Sequence, residues 1–224
     1  MENKVTNLRV QEPSKRIEYI RDVFAQTDNN LENVGNDLPD NEKRMQIGAD
    51  EGKTLYTLAR MINAKKIVEI GVLNGYSSIW MARALPDGGK LYALEKSKER
   101  AKICRDNFAK CSVAEKTEVI QGEALSNLDE LSAKAPFDMV FIDADKGNYC
   151  NYLDWAEKNT RKGGLIVGDN TFLFGAVYGD NFRNQPEKTI KVMQEFNKRL
   201  SDSDKYSSIM IPTSEGMTVA VKEF

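Results

Sequence analysis

The chain has 224 residues, 41% apolar and 29% charged, and its 32 basic and 34 acidic side chains leave a net charge of −2. That length suits one large domain or two small ones and buries enough surface to fold without staples. The balanced charge gives no strongly basic field for nucleic acid. No apolar run approaches the roughly 18 residues of a membrane span, and from the polar start Met1-Glu2-Asn3-Lys4 no secretory segment is expected. The expectation is a soluble cytoplasmic protein. The three cysteines, Cys104, Cys111 and Cys150, are odd in number and lack metal-type spacing, so they read as reduced thiols. Histidine is absent, which excludes Ser-His-Asp and Cys-His nucleophile systems, His-ligated zinc and a histidine base.

Ile17, Ile20 and Phe24 recur at helical spacing. Residues 26–43 are the most polar stretch and read as a loop or irregular arm. Leu55, Leu58, Ala59 and Ile62 define an amphipathic helix, with Asp50 and Glu51 at its start where the helix dipole favours negative charge. From Lys66 short apolar runs alternate with helices. Lys66–Ile70 is a strand, Ser77–Leu85 a helix, and Lys90–Glu95 a strand. Ser97 then caps a helix carrying Ala101, Cys104 and Phe108. Thr117–Gln121 is a strand, Ala124–Ser132 a short helix, and Asp138–Ile142 a strand. Tyr149, Tyr152, Leu153 and Ala156 mark another helix, and Leu165–Gly168 a strand after a Gly163-Gly164 turn. Pro186 opens a helix with Ile190, Met193 and Leu200. Strands near Tyr206–Ile211 and Met217–Val221 close the chain around a Ser214-Glu215-Gly216 turn.

Alternating β and α units predict a parallel sheet with helices on both faces. The last two strands are too close for a crossover and must pair antiparallel. Ligands in such sheets sit at the carboxyl ends of strands, near the point where strand order reverses. The first such end holds Gly71 and Gly75 in a GxxxG spacing, which suits close approach of a ligand or simply a tight turn. Glu95 stands 24 residues after Gly71 at the next end, as a ribose acceptor or a solvated charge. Together the two favour an adenosine ligand without a pyrophosphate. Gln121-Gly122-Glu123-Ala124 reads as an ordinary capped turn. Asp143, Asp145, Lys146, Asp169 and Asn170 gather at two adjacent ends. Capping explains one or two of them; a hard divalent cation explains the group.

These motifs together resemble the small cation-dependent O-methyltransferases that use S-adenosylmethionine, of the caffeoyl-CoA and catechol O-methyltransferase type. The resemblance runs from about Met45 to the end. It rests on the order of EIGxxxGYS, DADKxNY and GGxxxxDN, and on the closing IPTSEGMTVAVK. It implies a Rossmann-like class I methyltransferase, with a seven-stranded, mostly parallel sheet and a final antiparallel strand. The chain is then one domain over 1–224, with an N-terminal helix and arm at 1–43 and the core at 44–224. The resemblance carries a metal site onto Asp143, Asp169 and Asn170, for Mg²⁺ or for Mn²⁺ or Ca²⁺ in the same place. It carries cofactor contacts onto Ile47, Glu69, Gly71, Val72, Ser77, Glu95, Ala124 and Asp145. Lys146 matches the family's general base, acting beside the metal ligand Asp143. A homodimer is implied by the resemblance alone.

One departure bears on the substrate. Plant-type members carry Trp-Asn after the DNT sequence, and here Leu173-Phe174 stand there. The leading expectation is therefore methyl transfer to a hydroxyl of a small catechol-like molecule rather than to a phenylpropanoid-CoA. The alternative is methylation of 5-hydroxyuridine in tRNA, for which Lys188, Lys191, Lys198 and Arg199 along one helix offer phosphate contacts. An NAD-dependent oxidoreductase is the reading from another class, and the GxxxG turn argues against it. A non-catalytic binding protein would have no need of the Asp143, Asp169, Asn170 and Lys146 group. Phe172, Phe174 and Tyr178 either wall an aromatic acceptor or pack structurally.

Overall fold

A computed structural model of the protein describes residues 15–36 and 38–224. The polar start Met1–Lys4 lies outside them. Helix α1 (Lys15–Phe24) lies on α4 (Ala49–Met61), joined to it by Arg21 Nε and Asp50 Oδ1 at 2.7 Å. Glu51 accepts the Gly48 N–H at 2.8 Å, satisfying a donor that the helix start would otherwise leave open. The polar arm contains two four-residue helices, α2 (Asn29–Glu32) and α3 (Asp40–Lys43). It is less irregular than its composition predicts. Leu31 and Val34 are buried in the main core, and ion pairs of Asp28 with Arg83 (2.7 Å) and Glu42 with Arg100 (2.8 Å) tie it down.

The remaining elements alternate as the sequence predicts: β1 (Lys66–Ile70), α5 (Tyr76–Ala84), β2 (Lys90–Glu95), α6 (Lys98–Lys110), β3 (Thr117–Gln121), α7 (Ala124–Leu131) and β4 (Phe137–Ile142). Then follow α8 (Tyr149–Asn159), β5 (Thr160–Asp169), α9 (Glu187–Leu200), β6 (Tyr206–Ile211) and β7 (Met217–Lys222). They form a seven-stranded sheet in the order β3-β2-β1-β4-β5-β7-β6. Six strands run parallel, and β7, wedged between β5 and β6, runs against them. Strand β5 begins five residues before the predicted start. The Gly163-Gly164 turn falls inside it, beside a register shift between Phe137 and Met139. Asp138 bridges that irregularity, accepting from Arg161 Nε at 2.6 Å and from the Lys65 and Lys66 N–H groups.

Side-chain alternation along the strands divides the core into two layers. Ile67, Leu91, Met139, Phe141 and Val167 face α4, α5 and α6, together with the arm. Val68, Ile70, Leu94, Val140 and Ile166 face α7, α8 and α9. Each fully buried Phe, Leu or Ile contributes about 1.5–3 kcal/mol by leaving water. This packing fixes the strand ends. Register pairs Ile70 with Leu94 and with Ile142, and Ile142 with Gly168, so the carboxyl ends of β1, β2, β4 and β5 open on one edge. Strand order reverses between β1 and β4, the place where such sheets take ligands. No helix among the described residues is long and apolar enough to cross a membrane.

Candidate active site

A cleft of about 770 Å³ opens along these strand ends. Of the residues singled out in the sequence, Ile47, Gly71, Val72, Ser77, Glu95, Ala124, Asp143, Asp145, Lys146 and Asn170 line it. Glu69 and Asp169 do not reach its wall and are fully buried.

The turn after β1 shapes one end. Gly71 has φ +87°, and a Cβ there would lie 2.3 Å from the Asp143 carbonyl oxygen. Only glycine lets β1 and β4 end so close together. Glu95 anchors the turn from β2: Oε2 accepts the Leu73 N–H at 3.0 Å and the Val72 N–H at 3.4 Å, and Oε1 accepts the Ser97 N–H at 2.9 Å. A carboxylate offers about four lone-pair sites, so capacity remains for a ligand hydroxyl. Glu69 lies beneath α5 and accepts from the Ser77 and Ser78 hydroxyls. Burial pushes its carboxyl up to about 8. The two serine bonds oppose that rise, and the Asp143 and Glu95 charges add to it. Glu69 thus supports the start of α5 from behind the cleft. Cys104, under the same turn, has its thiol pushed up by burial and then by Glu95, which leaves it no thiolate for chemistry.

The other end is polar. Lys146 Nζ donates to Asp143 Oδ1 at 3.2 Å, to the Asp169 carbonyl at 3.2 Å and to the Tyr149 hydroxyl. Tyr149 in turn donates to the Asp169 or Ile142 carbonyl, at 2.8 and 3.0 Å, so β4 and β5 are stitched together under the lysine. Asn170 Nδ2 donates to Asp169 Oδ2 at 3.0 Å. Asp145 is held at both oxygens, by the Tyr152 hydroxyl at 2.6 Å and by Asn148 Nδ2 at 2.7 Å. Burial and then the Asp145 bond push the Tyr152 hydroxyl up, so it stays a donor. Among the described residues no group of three or more His, Cys, Asp or Glu stands ready to hold a metal ion. The expected set, Asp143, Asp169 and Asn170, contains only two such side chains and an amide.

Several cleft residues escaped the sequence reading. Met45 and Gln46 come from the arm's end, and Gln46 Oε1 accepts from Asn74 Nδ2 at 2.5 Å. Nothing in a polar segment marks them. Tyr152 lines the cleft and Tyr149 lies buried under Lys146; both read as core positions of α8, and their hydroxyls, placed just after Asp145-Lys146, were the available signal. Of the three aromatic candidates after β5, Phe174 lines the cleft. Phe172 and Tyr178 instead pack edge to face at 5.8 Å, away from its wall. Two of the four cations of α9 are engaged by acids: Lys191 pairs with Glu187, and Arg199 with Asp154 and Glu157.

The comparisons with known proteins agree with the fold. A family model described as O-methyltransferase matches residues 26–223, beginning within the arm and ahead of Met45, where the sequence resemblance starts. The catechol O-methyltransferase of Niastella koreensis is 34% identical over 211 residues, 91% of this chain and 94% of that protein. Caffeoyl-CoA O-methyltransferase 1 of Eucalyptus globulus is 36% identical over 181 residues, 78% of this chain and 74% of that one. Among solved structures, the O-methyltransferase TomG of Streptomyces achromogenes, in complex with S-adenosylmethionine, superposes with a TM-score of 0.81 at 34% identity. It covers 92% of this chain and 95% of its own. A family model spanning most of the chain, together with relatives above 30% identity that cover more than two thirds of it, leads to one assignment: the chain belongs to the O-methyltransferase family and is an S-adenosylmethionine-dependent O-methyltransferase.

Proposed function

We propose that the cleft transfers a methyl group from S-adenosylmethionine to one hydroxyl of a small catechol-like acceptor, with a divalent cation held by Asp143, Asp169 and Asn170. The observation that carries this reading is that Asp143, Lys146, Asn170 and an aromatic side chain, Phe174, line one cleft after the ends of β4 and β5, together with the Gly71–Glu95 turn after the ends of β1 and β2. S-adenosylmethionine would lie at that turn, with its ribose at Glu95 and its amino group toward Asp145. The donor set suits a hard cation, because two carboxylates offer oxygen and the Asn170 amide, its Nδ2 engaged by Asp169 Oδ2, has its oxygen left to offer. When bound, such a cation would supply a Lewis acid that eases proton loss from the hydroxyl to be methylated.

The chain's own groups do the rest. Phe174 gives a flat apolar surface for the acceptor ring. Lys146 Nζ first releases one proton to solvent, giving up one of its three donor bonds, and the neutral amine then takes the hydroxyl proton. Tyr152 and Asn148 fix the Asp145 carboxylate, and rigid alignment of donor and acceptor contributes through proximity. The names of the relatives, and the acids that pair with Lys191 and Arg199 on α9, favour a small molecule over tRNA. The test is incubation with labelled S-adenosylmethionine, Mg²⁺, a panel of catechols and tRNA lacking the modification, with products read by mass. Methylated catechol supports the reading; label on tRNA alone overturns the acceptor assignment.

A further inference from the structure

We propose that Glu215, in the turn between β6 and β7, is a positioning residue that fixes the acceptor wall by holding Phe174 in a left-handed backbone conformation. This rests on the reading of the Phe174 end of the cleft as the acceptor end. Glu215 is fully buried although it sits in a hairpin turn. Its Oε2 accepts the Phe174 N–H at 3.1 Å, its carbonyl accepts the Phe172 N–H at 2.9 Å, and the neighbouring Gly216 carbonyl accepts the Thr171 N–H at 3.0 Å. Three bonds thus run from residues 215–216 to the segment that leaves Asn170.

That segment needs holding. Leu173 has φ +48° and Phe174 has φ +56° and ψ +36°, two bulky residues in succession in a region that side chains other than glycine rarely adopt. Such backbone persists where the surroundings over-determine it. The consequence is directional. With its backbone turned this way, Phe174 joins the cleft wall while the Arg183 guanidinium stacks over its ring, 3.6 Å from the centroid. A return to negative φ would re-aim the Cβ and take the ring off the wall. Glu215 therefore acts on the acceptor through Phe174, without touching it.

The test compares wild type with Glu215→Gln, which keeps an acceptor oxygen, and with Glu215→Leu, which keeps bulk alone. Catechol with Mg²⁺ is the probe for KM and kcat. Calorimetry with S-adenosylhomocysteine reports cofactor affinity, and hydrogen exchange reports the Phe174 amide. Glu215→Leu should raise the KM for catechol about 3- to 10-fold, as loss of one buried hydrogen bond would. It should leave cofactor affinity unchanged and expose the Phe174 amide to exchange, while Glu215→Gln stays close to wild type. In a Phe174→Ala background, Glu215→Leu should cause no further rise in KM. If the leucine variant fails to fold, Glu215→Asp, which withdraws the oxygen by one methylene, should show the same split between KM and cofactor affinity. Equal damage from Gln and Leu, parallel loss of cofactor affinity, or independent effects of Glu215 and Phe174 would overturn the proposal. If wild type methylates no catechol, the acceptor reading fails by itself, and the exchange of the Phe174 amide still decides whether Glu215 holds it.

Discussion

The carboxyl of Glu69 has no exposed surface, and burial pushes it from 4.5 up to about 8. In the unfolded chain it ionises near the ordinary value. Between these two values the folded protein keeps a proton that the unfolded chain has lost, so stability falls as pH rises. Below 4.5 the contribution is fully present; above about 8 it is gone. At about 1.4 kcal/mol per pH unit, the interval corresponds to about 5 kcal/mol at most. Glu69→Gln removes the titration but leaves an oxygen to accept from Ser77 or Ser78. The assay is urea unfolding of both proteins at pH 5, 6, 7 and 8, followed by the fluorescence of Trp80 and Trp155. Other titrating groups cancel in the difference. Wild type should lose stability relative to the variant by up to about 1.4 kcal/mol with each pH unit across this range. Parallel pH profiles would refute the reasoning and show that Glu69 ionises in the folded protein.

Glu95→Ala should weaken S-adenosylhomocysteine binding by about 1.5–3 kcal/mol, and Glu95→Gln by less because one acceptor oxygen remains; calorimetry showing unchanged affinity in a folded alanine variant removes Glu95 from the ribose site. Lys146→Met should cut turnover by roughly 10²–10⁴ with cofactor binding intact. The loss should shrink as assay pH rises, and a pH-independent loss would make Lys146 a positioning group instead. Gly71→Ala places a Cβ against the Asp143 carbonyl in a left-handed backbone; it should cost about 1–3 kcal/mol of stability and weaken cofactor binding, both measurable by urea unfolding and calorimetry.

The sheet was legible because its signal is local. Runs such as Lys66–Ile70 and Phe137–Ile142 alternate between two buried faces, and Ser97 does cap α6, accepting from the Arg100 N–H at 3.2 Å. The polar strand ends were legible for the same reason: Asp143, Asp145 and Asn170 have no place in a core strand. What stayed hidden depends on distant partners. The early start of β5 relies on pairing with Phe137 across a shifted register, which two glycines disguise as a turn. The arm looks solvated because its anchors, Leu31 and Val34, are scattered among charges. Phe174 is turned by a carboxylate 41 residues away, and no periodicity reports that. Glu69 sits in an apolar strand beside two serines, and only the packing of α5 shows that it is sealed from solvent.

The central claim is that methyl transfer needs a cation at the ends of β4 and β5, and the direct measurement is initial rate against metal concentration after exhaustive chelation. Chelated wild type should be inactive, and Mg²⁺ or Mn²⁺ should restore it, while Zn²⁺ should do so poorly at a site built only from oxygen donors. Asp169→Ala, which removes a charged ligand, should shift the metal requirement further than Asn170→Ala, where water can replace a neutral one. Both variants should bind S-adenosylhomocysteine as wild type does. Full activity in chelator, with no metal found by elemental analysis, would contradict the account and leave Asp143, Asp169 and Asn170 as residues that shape the cleft without holding an ion.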